Sequence, residues 1–192
     1  MGQRIDLTNQ FLIAMPGMAD DMFSGSVVYL CEHNEKGALG LVINKPIDIT
    51  LKNLFDRVEL SLDREELAQL PVYFGGPVQT ERGFVLHEAQ ADSEARLYNS
   101  TLTVPGGLSM TTSKDVLEAM SNGAGPSRVL VTLGYSGWDA GQLEEEIGRN
   151  GWLTVNADPQ VIFDTPNEQR YQRALSLLGF DPRMLSSDVG HA

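Results

Sequence analysis

The sequence predicts a single α+β domain in which helices pack on a mixed β-sheet, and three observations carry that reading. The chain has 192 residues, near the usual size for one core and short for two large ones. Strand-like and helix-like segments alternate irregularly, with hairpin signals in the first half and one strand, turn and helix unit in the second; this favours a mixed sheet over a doubly wound parallel one. No repeat, linker or low-complexity tract interrupts the pattern, so residues 1–192 are expected to form one domain.

The elements follow in order. Gln10 to Met15 is a short apolar run stopped by Pro16-Gly17, a buried strand entering a turn; Asp20 and Asp21 begin a polar connector. Ser26 to His33 and Ala38 to Asn44 are β-branched runs joined by Asn34-Glu35-Lys36-Gly37, a hairpin. Thr50 is placed to cap a short helix through Val58. A second helix is expected from Leu62 to Leu70, with Asp63 and Glu66 at capping-box spacing and Pro71 as its stop.

Val72-Tyr73-Phe74 and Gly83 to His87 suggest another hairpin, with Gly75-Gly76-Pro77 in its longer loop. Leu97 to Val104 and Leu108 to Thr112 bracket Pro105-Gly106-Gly107 as strand, turn and strand. Thr112 or Ser113 caps a helix from Lys114 to Met120, closed by Gly123. Arg128 to Leu133 is a continuous apolar run typical of a central strand. The turn Gly134-Tyr135-Ser136-Gly137-Trp138 is then expected to feed a helix from Ala140 to Arg149, with Asp139 as cap and Gln142 completing a box. Trp152 to Val155 and Gln160 to Phe163 read as extended. In the last helix Thr165 caps, Pro166 takes the first position, Glu168 completes the box and Gly179 closes it. Ser186 to Ala192 is small and polar, and is expected to fray.

Composition excludes several function classes. Twenty-six acidic against 14 basic side chains give a formal charge of -12, which repels phosphate backbones and anionic lipid. The basic residues, among them Arg4, Lys36, Lys45, Lys52, Arg57, Arg64, Arg82 and Arg96, are scattered, so nucleic-acid binding is disfavoured. Cys31 is the only cysteine, which suits a reducing cytosol. No stretch has the length of a membrane span and the start of the chain lacks the pattern of an export signal, so a cytoplasmic protein without membrane contact is expected.

Candidate sites are few. Cys31 and His33 stand two apart at a strand end, and residues at that spacing share a face; an imidazole beside the thiol would lower its pKa and begin a nucleophile or redox sensor. The plainer alternative is a small thiol buried in an apolar strand. His33, His87 and His191 lack metal-site spacing, so no metal and no cofactor is expected. The segment around Ser136 resembles a nucleophile elbow but has Trp138 where the second glycine belongs, which removes the catalytic reading. What remains is a set of ligand-binding candidates: Asn44, Gly75, Gly76, Pro77, His87, Ser136 and Trp138, with turn chemistry as the competing explanation.

Taken together, the segments FLIAMPGM, VVYLCEHNEKGALGLVINKP, VYFGGPVQTERGFVLHE, MTTSKDVLEAM, VLVTLGYSGWDAGQLEEEI and the terminal GHA resemble the YqgE/AlgH family of bacterial proteins, in order from Phe11 to Ala192. The resemblance implies a mixed, partly barrel-like sheet surrounded by helices. Members often carry the label of transcriptional regulators, a name derived from a link to alginate production; the family's biochemical activity is unsettled and transfers no catalytic residue. Cys31, Glu32 and His33 fall on its Cys-Glu-His segment, and Gly75, Gly76 and Pro77 on its Gly-Gly-Pro segment.

The expectation is therefore a regulatory or interaction protein with an unknown protein or small-molecule partner. The alternatives are a cysteine-dependent enzyme or small-molecule-binding protein using Cys31 and His33, and a DNA-binding regulator disfavoured by charge.

Overall fold

The computed structural model describes residues 6–16, 23–88, 100–105, 107–112, 114–123, 126 and 128–179. The Asp20-Asp21 connector, Ser113, His191, the first residues of the Leu97 run and the tail from 186 lie outside them.

The chain runs β1 (Gln10–Ala14), β2 (Val27–Asn34), β3 (Gly37–Val42), β4 (Pro46–Thr50), α1 (Leu51–Arg57), α2 (Glu65–Ala68), β5 (Pro71–Phe74), β6 (Val78–His87), β7 (Thr101–Thr103), β8 (Ser109–Thr111), α3 (Asp115–Ser121), β9 (Val129–Asp139), α4 (Gln142–Gly148), β10 (Trp152–Asn156), α5 (Pro159–Phe163) and α6 (Asn167–Ser176). The strands form a curled half-barrel in the order β10-β1-β2-β3-β9-β6-β8-β7, with β4 and β5 off that path. Every pairing is antiparallel except β5 with β9. The fold is the mixed α+β domain the sequence predicts.

Local chemistry explains most of the elements. The β2–β3 hairpin forms where expected, turning at Glu35-Lys36 and pairing Asn34 with Gly37. Thr50 caps α1 in a full capping box with Asn53, whose side chain accepts the Thr50 N–H at 2.9 Å. By contrast α2 is only Glu65–Ala68, with no side-chain cap, so the predicted Leu62–Leu70 helix shrinks to one turn. Gly179 closes the last helix at φ +85°. Thr165 does not cap it; its hydroxyl donates instead to the Gln160 carbonyl of α5 at 3.0 Å. The extended run predicted at Gln160–Phe163 is the helix α5, capped by Asp158 with Pro159 in its first turn.

The largest correction concerns β9. The predicted turn 134–138 is strand: β9 continues through it to Asp139 and bends at Gly134, φ +81°. The first half pairs with β5 and β6, the second with β3. Nor do β5 and β6 form the predicted hairpin. The chain leaves β5, passes over the β9 backbone at Gly75-Gly76 and returns as β6 on the other side. A Cβ on Gly76 would stand 2.1 Å from the Tyr135 carbonyl carbon, and one on Gly75 would stand 2.3 Å from the Gly134 oxygen. Only glycine lets the two backbones approach so closely.

The sheet buries apolar side chains on both faces. One face carries the largest cluster, with Phe11, Tyr29, Cys31, Leu41 and Leu86 covered by Val161 of α5 and Leu175 of α6. The other carries two smaller clusters, one around Leu30, Trp138, Leu143 and Trp152, the second between α1, α3 and β5. Arg170 of α6 is buried and forms no ion pair among the described residues. It donates to the carbonyls of Thr165 (3.0 Å) and Ile43 and lies 4.9 Å from the Tyr73 ring centroid, pinning the helix to the sheet.

Candidate functional site

The bulge in β2 decides what Cys31 and His33 can do. Leu30 pairs with Gly40 and Glu32 with Leu39, so Cys31 is an extra residue and the alternation reverses after it. Cys31 packs with Phe11 and Tyr29 on one face, whereas His33 lies opposite Ala38, which packs on the other. The shared face expected from their spacing is therefore absent. Cys31 is 1% exposed, and burial raises its pKa far above that of a free thiol, with Glu32 adding to the effect. Its Sγ donates to the Tyr29 carbonyl at 3.8 Å.

His33 has a structural task. Its Nδ1 accepts the Leu7 N–H at 3.1 Å, which fixes the proton on Nε2, 3.1 Å from Glu144 Oε2. The ring ties the start of the chain to α4. His87 takes the opposite tautomer: Nδ1–H donates to the Glu88 carbonyl at 3.0 Å and Nε2 accepts from the Thr111 hydroxyl at 2.8 Å. Burial lowers its pKa, the Glu88 carbonyl working against the shift.

The two histidines do not converge. His33 faces Ala38, which faces Trp138, while His87 faces Val129; two strands and most of the length of β9, roughly 25–30 Å at about 3.3 Å per residue, lie between them. Among the described residues no group of three or more His, Cys, Asp or Glu side chains can hold a metal.

The other candidates gather around a different feature, a cleft of about 440 Å³ bordered by Phe23, Pro77, Gly137, Trp138, Glu146 and Trp152. Trp138 comes from β9, Trp152 from the start of β10 and Glu146 from α4, so the sheet and its covering helix build it together. Both indole N–H groups donate to the same atom, Oε1 of Glu146, at 3.0 Å from Trp138 and 2.9 Å from Trp152. Gln142 Nε2 donates to Oε2 at 3.0 Å. The rings of Trp138 and Trp152 meet edge to face at 6.1 Å, and Phe23 lies 6.4 Å from the first and 5.7 Å from the second.

Asn44, Gly75, Gly76 and Ser136 support this cleft from behind. Asn44 accepts the Val27 N–H at 2.9 Å and donates to the Gly25 carbonyl at 2.9 Å, while Lys45 donates to the Ser24 carbonyl at 2.7 Å; together they hold the turn that carries Phe23. Ser136 is fully buried, not exposed as an elbow serine would be, and its hydroxyl donates to the Gly75 carbonyl at 3.0 Å. That bond locks the crossing of β9 by Gly75-Gly76 and so sets the position of Pro77 at the rim. Asp139 is not the helix cap. Gly141 takes that place, and Gln142 Oε1 accepts the Asp139 N–H at 2.9 Å.

Comparison with known proteins agrees with the architecture. The profile of the AlgH-like family matches residues 11–183. The chain belongs to the AlgH-like family. A UPF0301 protein of Ralstonia nicotianae is 69% identical over 98% of this chain and 96% of its own length, and one of Burkholderia cenocepacia is 67% identical over 98% and 97%. The solution structure of the AlgH protein from Pseudomonas aeruginosa is similar over the whole of both chains, at 47% identity and a TM-score of 0.77. A crystal structure from Corynebacterium diphtheriae, 22% identical with a TM-score of 0.72 over 97% and 95% of the chains, shares the fold.

In this AlgH-like chain, sequence reasoning found Trp138, Pro77, Asn44 and Ser136 but missed Glu146, Trp152 and Phe23. A usable signal existed in part. The chain has two tryptophans, one on each side of a Glu-rich helix, and buried indoles need an acceptor. Which glutamate supplies it depends on tertiary placement. Among the described residues no helix is long and apolar enough to cross a membrane.

Proposed function

We propose that the protein is a binding module, not a catalyst, and that the Phe23–Trp138–Trp152 cleft receives a cationic group: an amine or guanidinium carried by its partner. The observation that carries this reading is the state of Glu146. Its carboxylate has about four acceptor positions; two indoles and Gln142 occupy three, leaving one on Oε2. No described cation neutralises it. Arg149, which also borders the cleft, pairs with Glu145 at 2.6 Å instead. A carboxylate with no cationic partner among the described residues, bordering an apolar cleft where water screens it less, favours a cation by charge.

This reading gives the expected regulatory or interaction role a chemistry. A protein of charge -12 attracts cationic partners over distance and repels nucleic acid, so regulation would run through a partner and not through DNA. A cysteine enzyme is supported less well, because Cys31 is buried and faces away from His33.

Both tryptophans of the chain border the cleft, so tryptophan emission, excited apart from that of the five tyrosines, reports on it. Titration with N-acetyl-arginine amide is expected to change the emission saturably in the native protein. The effect should weaken about tenfold or more in Glu146→Gln, which keeps an acceptor for an indole and removes the charge. Equal titration curves for the two proteins would rule the reading out.

A further inference from the structure

A second cleft meets the first at the same point of β9. The second, about 620 Å³, is bordered by Leu39, Val78 and Tyr135 and by two acidic residues, Glu32 and Asp139, against one basic residue, Lys36, and it shares Gly137 and Trp138 with the first. Trp138 belongs to the cluster beneath α4, whereas Leu39 and Tyr135 pack against the opposite cluster. The two clefts thus open on opposite faces of the sheet, and the segment Gly137–Asp139 runs between them.

Among the described residues that segment is an open strand edge. From Ser136 to Asp139, β9 pairs with β3 on one side; on the other, pairing with β6 stops at Tyr135, opposite Val78. The direction of the backbone groups follows from the ladder. The Asp139 N–H is bonded to the Gln142 side chain, not to Gly37 opposite it, so that pair is the kind that exchanges no hydrogen bonds. Residues two apart repeat the same kind; Gly137, opposite Leu39, therefore also turns its N–H and C=O away from β3. Gly137 is exposed, and no side chain of its own shields that edge.

We infer that the partner binds as an extended basic peptide strand, added to the β9 edge at Gly137, with successive side chains entering the two clefts. This deepens the proposed function and rests on it: the cation in the aromatic cleft becomes one side chain of a strand. An added strand points alternate side chains to opposite faces. One basic residue would thus reach Glu146 while its neighbour reaches Glu32 and Asp139, with main-chain bonds to Gly137 between them. A small free amine can satisfy only the first of these contacts.

The test uses the full-length protein and the acetylated, amidated hexapeptide Thr-Val-Arg-Arg-Val-Thr. Tryptophan fluorescence should show this peptide binding at least tenfold more tightly than N-acetyl-arginine amide. N-methylation of both central amides, which keeps the guanidinium groups and removes the strand's donors, should cancel that gain. In a 15N-labelled sample the Gly137 amide should exchange more slowly with solvent when the unmethylated peptide is bound. An N-methylated peptide that binds as tightly as its parent, or a Gly137 amide whose exchange does not change, would overturn strand addition while leaving the cation site standing. A probe series in which neither the arginine amide nor either peptide alters the emission would overturn the cation site itself. A dimer of the protein seen by sedimentation in the absence of peptide, and not dissociated when peptide is added, would assign the edge to self-pairing and overturn the peptide proposal.

Discussion

Trp138 and Trp152 donate their indole N–H groups to one oxygen atom, Oε1 of Glu146, at 3.0 and 2.9 Å. Both rings are nearly buried, so if the acceptor is lost each donor is left with only the water that the cleft admits. The arrangement joins stability to binding: the carboxylate that would hold a cation also keeps the two indoles oriented.

Glu146→Ala should therefore cost more stability than Glu146→Gln. Alanine strands two buried donors, each worth about 1–3 kcal/mol when unsatisfied, whereas glutamine retains a carbonyl oxygen for at least one. Urea denaturation of the two variants is expected to show alanine lower by about 1–3 kcal/mol. Equal midpoints would mean that the indole bonds contribute nothing net.

Cys31 should resist alkylation. Burial raises its pKa and its side chain sits in the largest apolar cluster, so the thiolate is scarce and hidden. Iodoacetamide at neutral pH is expected to label the folded protein far more slowly than a free thiol, and to label it fully in denaturant. Labelling of the native chain at the free-thiol rate would restore the nucleophile reading.

His87 gives the protein a weak dependence on acid. Burial depresses its pKa below the ordinary histidine value of 6.5, so between that depressed value and 6.5 the unfolded chain binds more protons than the folded one. The associated stability is fully present above pH 6.5 and declines as the pH falls through the window beneath it. His87→Gln should flatten that part of a stability profile measured from pH 7.5 to 5. A variant that keeps the native slope would place its origin in another group.

Two glycines offer a paired test of the crossing at β9. Gly76 has φ +153°, and an added Cβ would meet the Tyr135 carbonyl at about 2 Å, whereas a Cβ on Gly148 of α4 meets nothing within 4 Å. Gly76→Ala should destabilise the fold by about 3 kcal/mol or more, because backbone has to move. Gly148→Ala should stabilise it by about 0.5–1 kcal/mol through helix propensity. Thermal melts of the two variants check both signs.

What was legible in the sequence was local. The Asn- and Gly-containing turn predicted the β2–β3 hairpin, and Thr50 made the start of α1 readable from side-chain capping. The Asp158-Pro159 pair carried the same kind of signal for α5 and outweighs the β-branched run that follows it. What was hidden was non-local. Nothing in Gly134 to Trp138 distinguishes a turn from a strand that bends at one glycine, because the crossing by Gly75-Gly76 that requires the bend comes from a segment about sixty residues earlier. The bulge at Cys31 is equally silent, and by shifting the register one place it moves His33 to the other face. The candidate site suffers most from this, since Trp138, Glu146 and Trp152 come from three separate elements and Phe23 from a turn.

The most direct test of the cation cleft reads the two indole N–H resonances, of which the chain has one per tryptophan. In a 15N-labelled sample titrated with N-acetyl-arginine amide, both are expected to shift together and saturably as the guanidinium draws on Glu146, and to shift less as salt is raised. Two indole resonances that stay fixed throughout the titration would contradict the account.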